Sequence, residues 1–285
     1  MKLPPFEYAC PTTISEAVAL LDSHDGEAKP LAGGQSLVPM LAFRVASPSL
    51  LVDLRKLSEL RQIEILPDGV TLGAMVRWCE ILDDARLRTA HPLLVAAVAH
   101  VAHYQIRNRG TVGGSMAHAD PAAEMPGIAV TCEAQIAVIG KAGARVIAAG
   151  DFFRGPLTTA LDPDEIITEI RLPAWPARRR FGFQEFSRRR GDFALAAAAL
   201  FYDEDGEKKA RNVHVGAIGV GDRPLRLPSV EAVVNGQKVD DAVIAKAEAA
   251  ASAAVDPPDD IHASGAYRRA LVGVMVERAL KNAAT

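Results

Sequence analysis

Cysteine is nearly absent from this chain. Cys10, Cys79 and Cys132 make up the whole complement of 3. They are odd in number and far apart, so they offer neither a disulfide framework nor the closely spaced ligand set of an iron–sulfur cluster. The expectation is separate thiols in a reducing compartment, and any cluster that serves this chain must sit on another chain. Long apolar runs are also missing: none reaches the roughly 18 residues that a membrane span needs. Met1 to Glu7 lacks the hydrophobic core of a signal peptide, so the expected location is cytoplasmic. An excess of positive charge is missing too. The formal net charge is −3, which gives no electrostatic case for nucleic acid.

Several catalytic signatures are absent. Neither glycine-rich stretch carries the G-K-[ST] of a nucleotide triphosphatase or the G-x-G-x-x-G of a dinucleotide fold. Ser36 and Ser115 lack a G-x-S-x-G elbow and an ordered Asp and His, so they read as phosphate-bonding hydroxyls rather than nucleophiles. His100 and His103 have helical i, i+3 spacing, but no carboxylate or cysteine joins them nearby. No metal site and no catalytic residue is expected in this chain.

What the chain does have is two glycine pairs of one design. Pro30-Leu-Ala-Gly-Gly-Gln-Ser-Leu37 and Thr111-Val-Gly-Gly-Ser115 each place two glycines before a hydroxyl-bearing side chain. Missing Cβ atoms allow positive φ and let backbone N–H groups converge, which suits an anion. Glu124 follows the second pair, and a carboxylate there can accept from ribose-like hydroxyls. Two such loops fit one long ligand held at two places; two unrelated turns are the alternative. His118 lies inside the second loop, either near the ligand or facing solvent.

In order along the chain, a βαβ unit is predicted first. Phe6–Tyr8 reads as extended, and the Thr13 to Glu16 spacing is that of a capping box. Asp53 reads as a cap on Leu57–Leu60 or as a ligand contact. Alternation around Pro67-Asp-Gly69 predicts a hairpin, Leu93–Val101 a buried helix, and residues 135–148 a second hairpin. A boundary is expected near residue 176, where prolines and arginines mark a linker. Three antiparallel strands over 181–187, 195–202 and 212–218, then two helices, should complete the chain. The basic clusters Arg178–Arg180 and Arg188–Arg190 read as solvated faces, with docking to an acidic partner as the alternative. Phe193 is either core or a cover for an aromatic ring.

Leu31–Leu37, Leu51–Leu54, Gln105–Arg107 with Gly110–Ser115, and Ser187–Ala194 occur together in an order that resembles the FAD-binding subunit of the molybdenum hydroxylases. That family includes carbon monoxide dehydrogenase, xanthine dehydrogenase and N-heterocycle hydroxylases. The resemblance implies an α+β fold: a two-part FAD-binding domain of the vanillyl-alcohol-oxidase type over 1–176 (parts 1–57 and 58–176), then a smaller α+β domain over 177–285. It implies FAD contacts at Pro30, Leu31, Ala32, Gly33, Gly34, Gln35, Ser36 and Leu37, and at Thr111, Val112, Gly113, Gly114 and Ser115. It adds Glu124, where the family has an aspartate near the ribityl chain, and Ile167 against the flavin. It further adds Gln184, where relatives have a lysine, and Phe193, where they have a tyrosine. Ser115 replaces the commoner asparagine.

The resemblance also implies the task, which is electron relay. A small partner would carry [2Fe–2S] clusters and a large partner the molybdenum cofactor, the whole forming a dimer of heterotrimers. The substrate pocket would lie on the large partner, so carbon monoxide, an aldehyde, a purine and an N-heterocycle all stay open. A stand-alone FAD-dependent oxidoreductase with its own substrate pocket is the alternative, and a scaffold without cofactor is a third reading.

Overall fold

The computed structural model describes residues 2–284. Strands β1 (Glu7–Ala9), β2 (Ala28–Leu31) and β3 (Leu50–Asp53) form a parallel sheet in the order β1-β3-β2. The helix Ile14–Asp22 is capped by Thr13, whose Oγ1 accepts from the Glu16 N–H at 3.2 Å. The return bond goes one residue earlier than the capping-box spacing predicts, from the Thr12 N–H to Glu16 Oε2. The helix turns Ala17, Val18 and Leu21 onto Leu50 and Val52, closing a small core of its own. Asp53 caps the turn Leu54–Lys56 rather than the predicted Leu57–Leu60. Its carboxylate accepts from the Arg55 N–H, the Arg55 guanidinium and the Tyr8 hydroxyl, away from the cavity wall.

Strands β4 (Ile63–Leu66), β5 (Gly69–Gly73), β6 (Gln135–Gly140) and β7 (Gly143–Ala148) form the two predicted hairpins. A ribbon of β8 (Phe153–Gly155) and β9 (Thr158–Thr159) follows. Then β10 (Ile166–Pro173) inserts between the hairpins, giving an antiparallel sheet in the order β4-β5-β10-β6-β7. The register of β10 against β6 shifts between Ile167 and Glu169. The carbonyl of the extra residue, Thr168, accepts from the Ala74 N–H. Such a bulge re-aims its neighbours, and here Ile167 faces a cavity.

Helices Trp78–Asp83, Pro92–Val98, Val112–His118 and Glu124–Thr131 cover this sheet. The helix predicted over 93–101 stops at Val98. Its continuation bends through Ala102 at φ 42° and is held by Arg107, whose Nη1 donates to the carbonyls of Val101 and Ala102. His100 therefore leaves the helical spacing and packs on Phe183, ring centroids 5.0 Å apart. Among the described residues no group of three His, Cys, Asp or Glu side chains is arranged to hold a metal ion.

The last sheet is antiparallel: β11 (Arg179–Phe186), β12 (Ala196–Glu204), β13 (Ala210–Ile218) and β14 (Leu225–Arg226), so a fourth, short strand joins the three predicted. Strand periodicity divides its side chains. Ala197, Ala199 and Phe201 join the core of the five-stranded body, while Ala196, Ala198, Leu200 and Tyr202 pack under helices Asp241–Ala253 and Gly265–Ala284. The two bodies thus share one core across their boundary. The predicted linker is part of that packing. Trp175 meets His91 at 4.8 Å and Phe201 at 5.6 Å, and the Arg179 guanidinium lies 4.3 Å from the Phe201 ring centre. Arg179, expected on a solvated face, is 8 % exposed and paired with Asp203. The start of β11 turns it inward, while Arg178 in the preceding turn stays exposed.

No helix among the described residues is long and apolar enough to cross a membrane.

Candidate cofactor site

All three bodies border one cavity of about 610 Å³. The parallel sheet contributes Pro30, Ala32, Gly33, Gly34, Gln35, Ser36 and Leu37. The antiparallel body contributes Thr111, Gly113, Gly114, Ser115, Glu124 and Ile167, and the C-terminal body contributes Gly191, Asp192 and Phe193. Of the residues singled out in sequence, Leu31, Val112 and Gln184 do not reach the wall. Val112 is fully buried core.

The two glycine loops touch. A Cβ built on Gly33 would lie 2.2 Å from the carbonyl oxygen of Arg109, and one on Gly114 would meet Ala32 at 3.6 Å. Only a residue without a side chain lets the chains approach this closely. Gly34 takes φ 70°, turning the chain between β2 and the helix Leu37–Ala42. The side-chain amide of Gln35 donates to the Gly33 carbonyl at 3.0 Å and tightens that turn. Among the described residues, no protein acceptor takes the backbone N–H groups of Gly33, Gly34, Gln35 and Ser36. Four donors so placed on a cavity wall are what an anion requires.

The second loop works differently from the prediction. Gly113 and Gly114 are not at positive φ; they form the first turn of the helix Val112–His118. Its N–H groups are already engaged: Val112 with the Val76 carbonyl, Gly113 with Ala74, Gly114 with Thr111 Oγ1, and Ser115 with the Thr111 carbonyl. It is therefore no anion nest. Its glycines serve close packing, since a Cβ on Gly113 would lie 2.5 Å from that of Ala74. Thr111, Gly113, Gly114 and Ser115 line the cavity from this turn. The donors come from the first loop.

Glu124 begins the helix Glu124–Thr131 and is 5 % exposed. Burial, which penalises the anion, pushes its carboxyl up to about 7; the Asp120 charge adds to this, and the backbone N–H opposes it. Gln184 lies on the face of β11 turned toward the last helix. Gly182, two positions before it, packs against the Ala279 carbonyl of the last helix, so Gln184 points the same way. Its neighbour Glu185 shares the other face with Phe183, which packs in the core of the antiparallel body. A one-residue step on a strand reverses the face, and neither Gln184 nor Glu185 lines the cavity. Glu185 Oε2 is enclosed without a hydrogen-bond partner. Burial, then the Glu124 charge, raises its carboxyl to about 8.

Phe193 is 55 % exposed at the cavity edge rather than core. It is presented by Gly191 at φ 89°, where a Cβ would lie 2.7 Å from the Ala102 carbonyl. His118 lies on the wall. Trp78, Ile106, Asp120 and the stretch Leu161–Pro163 also line the wall and were not singled out as ligand contacts. Trp78 gave no signal in sequence, where it reads as ordinary helix core; in the fold a Cβ on Gly110 would lie 2.8 Å from its indole nitrogen.

Two domain families match the chain. "FAD binding domain in molybdopterin dehydrogenase" covers residues 4–175, and "CO dehydrogenase flavoprotein C-terminal domain" covers residues 181–283. The chain is 38% identical to the nicotine 6-hydroxylase medium subunit of Paenarthrobacter nicotinovorans, over 99% of both chains. It is 35% identical to the glyceraldehyde dehydrogenase medium chain of Sulfolobus acidocaldarius, again over 99% of both. Its fold is similar to a chain of carbon monoxide dehydrogenase from Hydrogenophaga pseudoflava that lacks the Mo-pyranopterin moiety of the molybdenum cofactor. There the TM-score is 0.96 and the identity 35%, covering 99% of this chain and 98% of that one.

Proposed function

This chain belongs to the FAD-binding subunits of the molybdenum hydroxylases, and we propose on that premise that it is the electron relay of a cytoplasmic dimer of heterotrimers. A small subunit with [2Fe–2S] clusters delivers the electrons, and a large subunit with the molybdenum cofactor oxidises the substrate. FAD, when bound, accepts electrons singly and releases them in pairs to an external acceptor.

The observation that carries this reading is the meeting of the two loops at Gly33 and Arg109, with unengaged N–H donors beside it. The cavity suits FAD in size and in donors. Its volume is within the range of about 300–1,000 Å³ common for cofactor sites. The Gly33–Ser36 N–H groups would hold the diphosphate, with the Ser36 and Ser115 hydroxyls beside them. Glu124 would meet the polyol chain, and Ile167 with Phe193 would present apolar surface to the ring. Three scattered cysteines agree with a chain that carries no cluster of its own.

The test is the visible absorption spectrum of the purified chain, followed by identification of what acid releases from it. Flavin bands with released FAD are expected. A colourless protein that takes up no added FAD would overturn the reading. Co-purification with two partner chains, sized by native mass spectrometry, tests the assembly.

A further inference from the structure

Ala102 sits on the cavity wall in a conformation that its own side chain disfavours. It takes φ 42° just beyond the end of the helix Pro92–Val98, and a left-handed residue with a Cβ persists only where its surroundings hold it there. Arg107 does the holding. Its half-buried side chain reaches back from the short helix Tyr104–Arg107. Nη1 donates to the Val101 carbonyl at 2.9 Å and to the Ala102 carbonyl at 2.7 Å. Hydrogen bonds from a charged donor are the strong ones, and here one nitrogen aligns two successive carbonyls.

The carbonyl fixed in this way is the seat of Gly191, which lies on the loop between β11 and β12. Gly191 is at φ 89°, and a Cβ on it would lie 2.7 Å from the Ala102 oxygen and 2.8 Å from the Ala102 carbonyl carbon. The other bonds of this loop stay within the C-terminal body. The Leu195 N–H donates to the Phe186 carbonyl at 2.8 Å and closes the root. The Ser187 hydroxyl and the Asp192 N–H both donate to the Arg189 carbonyl, and the Arg188 guanidinium donates to the His262 carbonyl. The contact with Ala102 instead reaches across to the antiparallel body. Two residues beyond it stands Phe193, sharing the cavity wall with Val101, Ala102 and Ile106. The same segment also sets the Arg109 carbonyl against Gly33, so residues 101–110 meet both other bodies through backbone.

We propose that Arg107 is a positioning residue for Phe193: by pinning the Ala102 carbonyl it seats Gly191 and sets where the Phe193 ring stands over the cavity. Arg107 itself lies outside the cavity wall and acts through two backbone contacts. Its effect on a bound flavin rests on the FAD reading above, whereas the chain of contacts does not. Without the guanidinium, two carbonyls lose their donor, Ala102 relaxes toward an ordinary φ, and Gly191 loses its seat.

Two measurements on the full chain test this. The first needs no flavin: a fluorine label on the Phe193 ring is read by fluorine-19 NMR. Arg107→Met keeps the length and loses every donor, so it should shift and broaden that resonance. Arg107→Lys, whose ammonium can donate to both carbonyls, should return it toward wild type. Gly191→Ala attacks the contact from its other side and should also shift the resonance, so the test survives if Arg107→Met fails to fold. A wild-type resonance in either Arg107→Met or Gly191→Ala would overturn the proposal.

The second measurement is visible circular dichroism of bound FAD. Arg107→Met should change the flavin bands as Phe193→Leu does, and the double variant should match either single one. Effects that add in the double variant would show the two residues to be independent, and the proposal would fall. A wild-type chain that takes up no FAD would instead defeat the FAD reading, and the fluorine resonance would still decide the role of Arg107.

Discussion

The α-carbon of Gly33 is pressed so closely against the carbonyl of Arg109 that a side chain there would begin 2.2 Å from the oxygen. This contact sets the spacing between the parallel sheet and the antiparallel body, and hence the width of the cavity between them. The carbonyl is backbone, fixed by the turn in which the Gly110 N–H donates to Ile106 at 2.7 Å, so it cannot move aside as a flexible side chain would.

Gly33→Ala should therefore force the loops apart. Overpacking of this kind costs about 1–3 kcal/mol, and the expected result is a lower flavin-to-protein ratio with at least tenfold weaker FAD. Gly150→Ala is the control, because a Cβ there meets nothing within 4 Å. Equal FAD retention by the two variants would show that the contact does not shape the site.

Asp53, 1 % exposed, joins β3 to β1 through the Tyr8 hydroxyl at 2.8 Å. Asp53→Ala leaves that hydroxyl and the Arg55 N–H without their acceptor and should cost about 1–3 kcal/mol in urea unfolding. The Arg55 and Tyr8 hydrogen bonds outweigh the burial penalty and hold the Asp53 carboxyl below its usual range. Its contribution is thus present above the ordinary carboxyl pKa and fades as pH falls through the lower folded value. In the variant, this part of the acid sensitivity should disappear.

His91, buried to 1 % exposure, caps its helix by accepting the Leu94 N–H on Nδ1. Burial, reinforced by the Arg179 charge, lowers its pKa from 6.5 to about 4. The unfolded chain binds a proton in that window and the folded chain does not, so stability is full above 6.5 and falls as pH drops toward 4. The loss amounts to roughly 3 kcal/mol, taking 1.36 kcal/mol per unit. His91→Asn keeps a capping acceptor without the titration, and its stability should fall less steeply over that range. An unchanged slope would mean that another group governs it.

Trp175 bridges the bodies between His91, Phe201 and the Arg179 guanidinium. Trp175→Ala should destabilise the chain by about 3 kcal/mol. Because the core is shared, thermal unfolding should remain a single transition at lower temperature. Two separated transitions would indicate that Trp175 alone couples the bodies.

Much of this protein was legible in its residues. Period-two alternation marked both hairpins and the long C-terminal strands, and the Thr13 to Glu16 spacing marked a helix start. The ordered glycine stretches pointed to the family. These features depend on near neighbours in the chain, where a side chain's own sterics and hydrogen bonding decide.

What only the tertiary structure decided lies in contacts between distant segments. It left the N–H groups of the first loop unengaged, while Ala74 and Val76 from another segment accept from Gly113 and Val112 in the second. It turned Arg179 inward onto Trp175, where composition suggested a solvated linker. It also kept Gln184 off the cavity wall, since the face a strand residue presents depends on which partner covers which side of the sheet. Burial is a property of the assembled chain, and burial pushes the Glu124 carboxyl up to about 7.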